Sequence, residues 1–181
     1  MTYTQETTDV RNLATASDLR AAMVQWASGV TVITAVDGER RPHGFTASSF
    51  CSVSLSPPLV LVCLDHAAAC LDAFRGSDWF AIHVLREGQE ELALAFARKG
   101  VDKFAGRATE SGLGGTPLLP GGLARLECRM VDRIPAGDHL ILLGQVARTA
   151  TRPGRPLVYC QREFHGLSER RPLSVDPTRG G

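Results

Sequence analysis

Between His43 and Leu55 the chain changes character at every step, and no other stretch restricts the fold as much. Phe45, Ala47, Ser49, Cys51, Val53 and Leu55 fall on one side, and Thr46, Ser48, Phe50, Ser52 and Ser54 on the other, which is the period of two that an extended strand imposes. One face is apolar except for Ser49; the other is nearly all hydroxyl. Upstream lies the β-branched run Val30–Val36 and then Asp37-Gly38, a turn signal, so the two runs predict a hairpin. Pro57-Pro58 stops the second strand. Leu59 to Leu64 follows as a third, continuously apolar run, suited to a strand buried on both faces.

The remaining elements are shorter. Ser17 and Asp18 can cap a helix that carries Leu19, Ala22, Met23 and Trp26 on one face and ends by Gly29. A short helix over 67–75 and a strand over 79–85 come next. Residues 89–98 predict an amphipathic helix, with Glu90 and Glu91 in its first turn and Arg98, Lys99 and Gly100 at its stop. The glycine- and proline-rich stretch 101–122 predicts a long loop, and 123–134, 139–150 and 157–159 predict the later strands. Many short strands without βαβ alternation indicate a mainly β or α+β barrel or sandwich with a few peripheral helices. One domain over 17–167 is expected, between mobile tails at 1–16 and 168–181.

Composition narrows the function classes. With 20 basic against 19 acidic residues in 181, the net charge is +1, and no block of like charge offers a footprint for nucleic acid. The longest apolar stretch is far short of a spanning helix, and the N-terminus has neither a basic flank nor an apolar core, so no membrane and a cytoplasmic location are expected. Five cysteines without a C-x-x-C pair fit free thiols. Cys63, His66 and Cys70 lack the spacing of a usual zinc site, and no metal is expected. No Gly-x-Gly-x-x-Gly, Walker loop, Gly-x-Ser-x-Gly elbow or His-Glu-x-x-His is present. Any dinucleotide must be held by something other than a Rossmann turn.

The hydroxyl row, with backbone amides freed by Gly44, supports two readings: the wet face of an ordinary strand, or an uncharged donor surface for phosphate or a heteroaromatic ring. Four blocks then occur in order: Gly29-Val30-Thr31-Val32-Ile33-Thr34, Gly44-x-Thr46-Ala47-Ser48-Ser49-Phe50-x-Ser52-Val53-Ser54-Leu55-x-Pro57-Pro58, Asp102-Lys103-Phe104 and Gly137-Asp138-His139. Over about Leu19 to Leu167 this pattern resembles the short-chain NAD(P)H:flavin reductases, the reductase components of two-component flavin-dependent monooxygenases. The Thr-Ala-Ser-Ser-Phe block is specific; the last two motifs carry weight only in sequence.

The resemblance implies a Greek-key split β-barrel that binds FAD or FMN and uses NADH, with NADPH left open. It implies a homodimer that hands reduced flavin to a partner monooxygenase. Gly44, Thr46, Ala47, Ser48 and Ser49 would meet the flavin phosphate or ring edge, and Cys63, Leu64 and Asp65 would run past the ring. Ala69 and Cys70 would lie near the ribityl phosphate, with Phe96 and Lys103 on the far side. His139, Tyr159 and Arg162 would seat the nicotinamide dinucleotide. The absence of hydroxyls in Ala67-Ala68-Ala69 departs from many family members. Taken singly, His139 reads as a turn residue, Lys103 as a surface charge, Phe96 as core and Tyr159 as a strand aromatic. No catalytic side chain is expected, because hydride transfer belongs to the cofactors. Two alternatives share the fold: a flavoprotein oxidase or oxygenase that retains its flavin, and a non-catalytic flavin- or haem-binding module.

Overall fold

Asp37 closes the first hairpin. Its Oδ1 accepts from the backbone N–H groups of Glu39 (3.0 Å) and Arg41 (2.9 Å), and this folds β2 (Thr31–Val36) back on β3 (Pro42–Ala47). The strands pair antiparallel from Val36 opposite Pro42 to Thr31 opposite Ala47, as the turn signal predicts. The computed structural model describes residues 13–167. The expected C-terminal tail, and positions 1–12 of the N-terminal one, lie outside the described residues.

The first helix, α1 (Ala16–Met23), starts inside the expected N-terminal tail, and its cap is Thr15 rather than Ser17 or Asp18. Thr15 Oγ1 accepts from the Asp18 N–H (3.2 Å) while the Asp18 carboxylate accepts from the Thr15 N–H (2.8 Å), so both orphan donors are satisfied reciprocally. Then come β1 (Ser28–Gly29), β2, β3, β4 (Cys51–Leu55), β5 (Pro58–Asp65), α2 (Leu71–Gly76), β6 (Trp79–Val84), α3 (Glu90–Ala97), β7 (Glu110–Ser111) and β8 (Pro117–Leu118). The long strands β9 (Ala124–Ala136) and β10 (His139–Thr151), then β11 (Leu157–Cys160) and β12 (Glu163–Gly166), complete the chain.

Seven strands form one antiparallel sheet in the order β3-β2-β6-β9-β10-β5-β4, and β1-β11-β12 form a smaller one. The fold is mainly β with few helices. Inside the large sheet, α2 inserts the fully buried Phe74, whose ring meets Phe45 edge-on at 5.1 Å among Ile33, Phe80 and Leu142. On the other face, α3 packs Ala93 and Phe96 against Val32, Leu85 and Leu157. Strand β2 feeds both cores, which is why its first five residues are all buried.

Two sequence expectations change. The run His43–Leu55 is not one strand: it breaks at Ser48–Phe50, and its halves become the two outer strands of the large sheet. Phe45 and Ala47 are buried, but Val53 and Leu55, on the same side of the predicted strand, are 49% and 93% exposed. The alternation restarts after the break, so one apolar face cannot persist through it. Likewise β5 is not buried on both faces. Only Val60, Val62 and Leu64 are in the core, because the sheet is antiparallel and packs its interior on one side.

The stretch 101–122, expected as a loop, contains β7, β8 and a 3-10 turn (Leu113–Gly115). Buried polar groups pin it. Thr34 Oγ1 donates to Pro117 O (2.6 Å), Glu127 accepts from the Leu113 N–H (2.7 Å), and His83 Nε2 accepts from the Leu119 N–H (3.0 Å).

Candidate functional site

The large sheet does not close: β3 and β4 are its outer strands, and no ladder joins them. Three residues, Ser48-Ser49-Phe50, link those strands, so the sheet's two edges are brought together without pairing. Beside this seam lies a cleft of about 990 Å³. Its floor is β3, its near wall the end of β5 and the turn into α2, and its far wall the C-terminal end of α3 with the following loop.

Ser49 stitches the seam. Its Oγ accepts from the Cys63 N–H (3.0 Å) and donates to Cys63 O (3.3 Å), continuing with a side chain the pairing that β4 makes with β5 as far as Leu61. Thr46 is also committed, donating to Ala93 O of α3 at 2.6 Å. Ser48 is exposed and lines the cleft, whereas Ser52 and Ser54 stand on β4 away from it. The expected row of alcohols is therefore reduced to Thr46, Ser48 and Ser49, because the strand break carries the rest away.

Gly44 is required by packing. A Cβ there would stand 2.7 Å from Phe96 Cε1 and 2.8 Å from Ile33 O, so only glycine lets the Phe96 ring lie on β3. Lys103 Nζ donates to Gly44 O (2.9 Å) and Phe96 O (2.7 Å), and burial pulls its pKa below the ordinary lysine value. Burial pushes the Cys70 thiol up, which keeps it neutral.

The tight turn between β9 and β10 explains the fourth motif. Gly137 has φ 60° in the first central position, a conformation that glycine supplies at least cost. His139 then opens β10 directly opposite Asp65, the last residue of β5. Its Nδ1 lies 2.7 Å from Asp138 Oδ1, and this contact holds the Asp138 carboxyl below its usual value.

Gly44, Thr46, Ala47, Ser48, Ser49, Cys63, Leu64, Asp65, Ala69, Cys70, Phe96, Lys103 and His139 all line this one cleft. Tyr159 and Arg162 do not. Tyr159 belongs to β11 in the small sheet, 5.4 Å from Phe164, and Arg162 sits at φ 66° in the β11–β12 turn. After β10 the chain crosses to that sheet, so late position in the sequence does not return it to the cleft. Residue patterning missed Arg41, His43, Arg98, Lys99 and Val101, which also line the cleft. Arg98 and Lys99 were readable as basic residues but fitted a helix terminus; α3 ends at Ala97, and they begin the loop beyond it.

Residues 23–168 match the family described as flavin reductase like domain. The chain is 47% identical over 150 residues to the actinorhodin polyketide dimerase of Streptomyces coelicolor, covering 82% of this chain and 85% of that one. It is 42% identical to an NADH:riboflavin 5'-phosphate oxidoreductase of Streptomyces pristinaespiralis, covering 81% and 85%. With the flavin-dependent monooxygenase reductase subunit HsaB of Mycobacterium tuberculosis it shares 34% identity, covering 82% and 80%. The solved structure of the NADH:FAD oxidoreductase SgcE6 of Streptomyces globisporus, in complex with NAD and FAD fragments, superposes with a TM-score of 0.80 at 36% identity, covering 88% of this chain and 99% of that one.

Proposed function

The chain belongs to the flavin reductase like family, and on that premise we propose that it is an NADH-dependent reductase of FAD or FMN. The reduced flavin leaves for a partner flavin-dependent monooxygenase; the HsaB relative is named as the reductase subunit of such an enzyme. One observation carries this reading. Residues far apart in sequence, around 44–49, 63–70, 96–103 and 139, converge on a single cleft whose volume is at the upper end for small-molecule sites.

The residues fit a flat, exchangeable ligand. Small side chains at Ala47, Ala68 and Ala69 leave room along the cleft for a ring system. A flavin seated there supplies the redox chemistry, taking up the two-electron hydride that NADH gives. The protein's part is to align the two ligands and exclude water. Thr46 and Ser49 spend their hydroxyls within the protein, and Arg41, just before β3, is paired with Asp37 (2.8 Å) and Glu39 (3.0 Å), so its guanidinium is not a free fork to clamp a phosphate. Loose holding suits release. A turnover of about 10 s⁻¹ with association at about 10⁶–10⁷ M⁻¹s⁻¹ corresponds to a Kd in roughly the micromolar range.

The large sheet is read as a split barrel whose unpaired seam is the ligand site, and the working unit as a homodimer. Support for a second copy comes from α1, which buries none of its own residues and exposes Leu19, Met23 and the following Trp26 by 61%, 53% and 67%. An eight-residue helix is not stable by itself and needs a surface to lie on. Among the described residues no helix is long and apolar enough to cross a membrane, and the cytoplasm is the compartment proposed.

Steady-state oxidation of NADH and NADPH, with FAD, FMN and riboflavin as varied acceptors, tests the reading. NADH oxidation that depends on added flavin is expected, from protein that dialyses colourless. Protein that stays yellow through dialysis would favour a retained prosthetic group, and no oxidation with any flavin would reject the reductase.

A further inference from the structure

The near wall of the cleft, from Cys63 to Asp65 and from Ala68 to Cys70, carries no cation. The turn Ala67-Ala68-Ala69 has no side-chain donor, and Asp65 spends Oδ1 on the Ala67 N–H at 2.7 Å. The far wall differs: the six residues from Arg98 to Lys103 carry three cations. Among the described residues none of the three has an ion-pair partner. Asp102, the acid in the same stretch, turns into its own loop and accepts from the N–H groups of Phe104 (2.9 Å) and Ala105 (3.2 Å). Among the described residues no counter-charge pairs with Arg98 or Lys99 at the edge of the cleft.

Lys103 stands apart from those two. Of its two acceptors, Phe96 O is an orphan carbonyl in the last turn of α3, and Gly44 O belongs to the outer strand β3. One ammonium thus ties a helix end to a strand edge. Phe104 packs edge-on against Phe96 at 5.1 Å, and Arg107 Nε donates to Lys103 O at 3.0 Å. Both ends of the loop that carries Arg98 and Lys99 are clamped against the cleft.

We propose that Arg98 and Lys99 form a phosphate-selecting wall of the cleft and that Lys103 is the positioning residue that holds the wall in place. The inference rests on the reductase reading and deepens it by naming the part of the ligand this side recognises. That part is a phosphate or diphosphate tail, which the flavin nucleotide and the nicotinamide dinucleotide both carry. A multiply charged anion gains attraction from two uncompensated cations, and a phosphate-free ring gains none. Exposure and salt keep the gain modest, in keeping with a ligand that must leave.

Two matched pairs test this. Kd is measured for FMN and riboflavin by flavin fluorescence quenching, and KM for NADH and for 1-benzyl-1,4-dihydronicotinamide, a phosphate-free hydride donor. In the double variant Arg98→Ala/Lys99→Ala, preference for the phosphorylated member falls about tenfold in at least one pair. A fall in the flavin pair assigns the wall to the flavin phosphate; a fall in the donor pair assigns it to the dinucleotide. Added salt erodes the preference in wild type and has little left to erode in the variant. Lys103→Met gives the same selective loss, and Lys103→Arg, still able to donate to both carbonyls, restores it. Parallel shifts within both pairs, or none, overturn the wall. Equal loss of FMN and riboflavin binding in Lys103→Met, or in Lys103→Arg should the methionine variant not fold, overturns the clamp. Wild-type protein that fails to oxidise NADH with any added flavin overturns the parent reading, whereas active wild type with parallel shifts overturns only this inference.

Discussion

The two sides of the cleft are built on opposite principles. On the sheet side the polar groups satisfy one another: Ser49 is spent on Cys63, Thr46 on Ala93, and His83 deeper in the sheet uses both ring nitrogens. On the loop side Arg98 and Lys99 have no ion-pair partner among the described residues. A polar group with an internal partner shapes the protein, and one without is available to a ligand. Substitutions on the sheet side should therefore register in stability first, and those on the loop side in binding.

The largest expected effect lies in the pH dependence of folding. His83 is fully buried, donates through Nδ1 to Val32 O (3.1 Å) and accepts through Nε2, so it must be neutral; burial lowers its pKa from 6.5 to about 4. Because the folded value lies below the unfolded one, the unfolded chain binds more protons between them. Stability is fully present above about pH 6.5 and falls by about 3 kcal/mol as pH drops to about 4. Urea midpoints at pH 7, 5.5 and 4 measure this, and His83→Gln should flatten the slope. An equal slope in the variant would assign the loss to other groups.

Gly44→Ala comes next. The added methyl meets the buried Phe96 ring and the Ile33 carbonyl, and such overpacking costs about 1–3 kcal/mol. Denaturant midpoints should fall, and flavin KM should rise as Phe96 is displaced into the cleft. An unchanged midpoint would mean that α3 yields without resistance.

Ser49→Ala leaves the Cys63 N–H and carbonyl without their stitch, at about 1 kcal/mol or a little more. Ser49→Leu adds bulk at the seam and should raise flavin KM several-fold beyond the alanine variant. Identical kinetics for both would remove Ser49 from the ligand's path. His139→Ala, at a half-exposed position whose one partner among the described residues is Asp138, should leave stability within about 0.5 kcal/mol. It should raise KM for NADH more than for flavin, and equal loss for both would contradict the nicotinamide assignment. The smallest effect belongs to Ser48→Ala, which is exposed; thermal stability should not move, and a fall in Tm of several degrees would break the contrast between spent and unspent groups.

Legibility in the sequence followed the range of the interactions. The hairpin at Asp37, α3 and the β9–β10 turn were readable because caps, turns and periodicity act between near neighbours. The break at Ser48–Phe50 was not, since nothing local marks it: the residues alternate through it without a proline or glycine. It exists because β3 pairs with β2 and β4 with β5, at opposite edges of one sheet. The fold of 110–119 was hidden for the same reason, its anchors being Thr34, His83 and Glu127 on distant strands. Family resemblance supplied most of the cleft residues but not the cationic wall, and it placed Tyr159 and Arg162 with them where the chain does not.

Local chemistry in the sequence determined that this chain would be rich in strands, where its tight turns fall and which motifs carry its family identity. Tertiary structure alone decided that the sheet stays open at one seam, that four separate segments meet beside it, and which polar side chains remain unspent there. The reason is that a strand's edge partner and a charge's nearest counter-charge are chosen among residues far apart in sequence, through packing that no short window of residues contains.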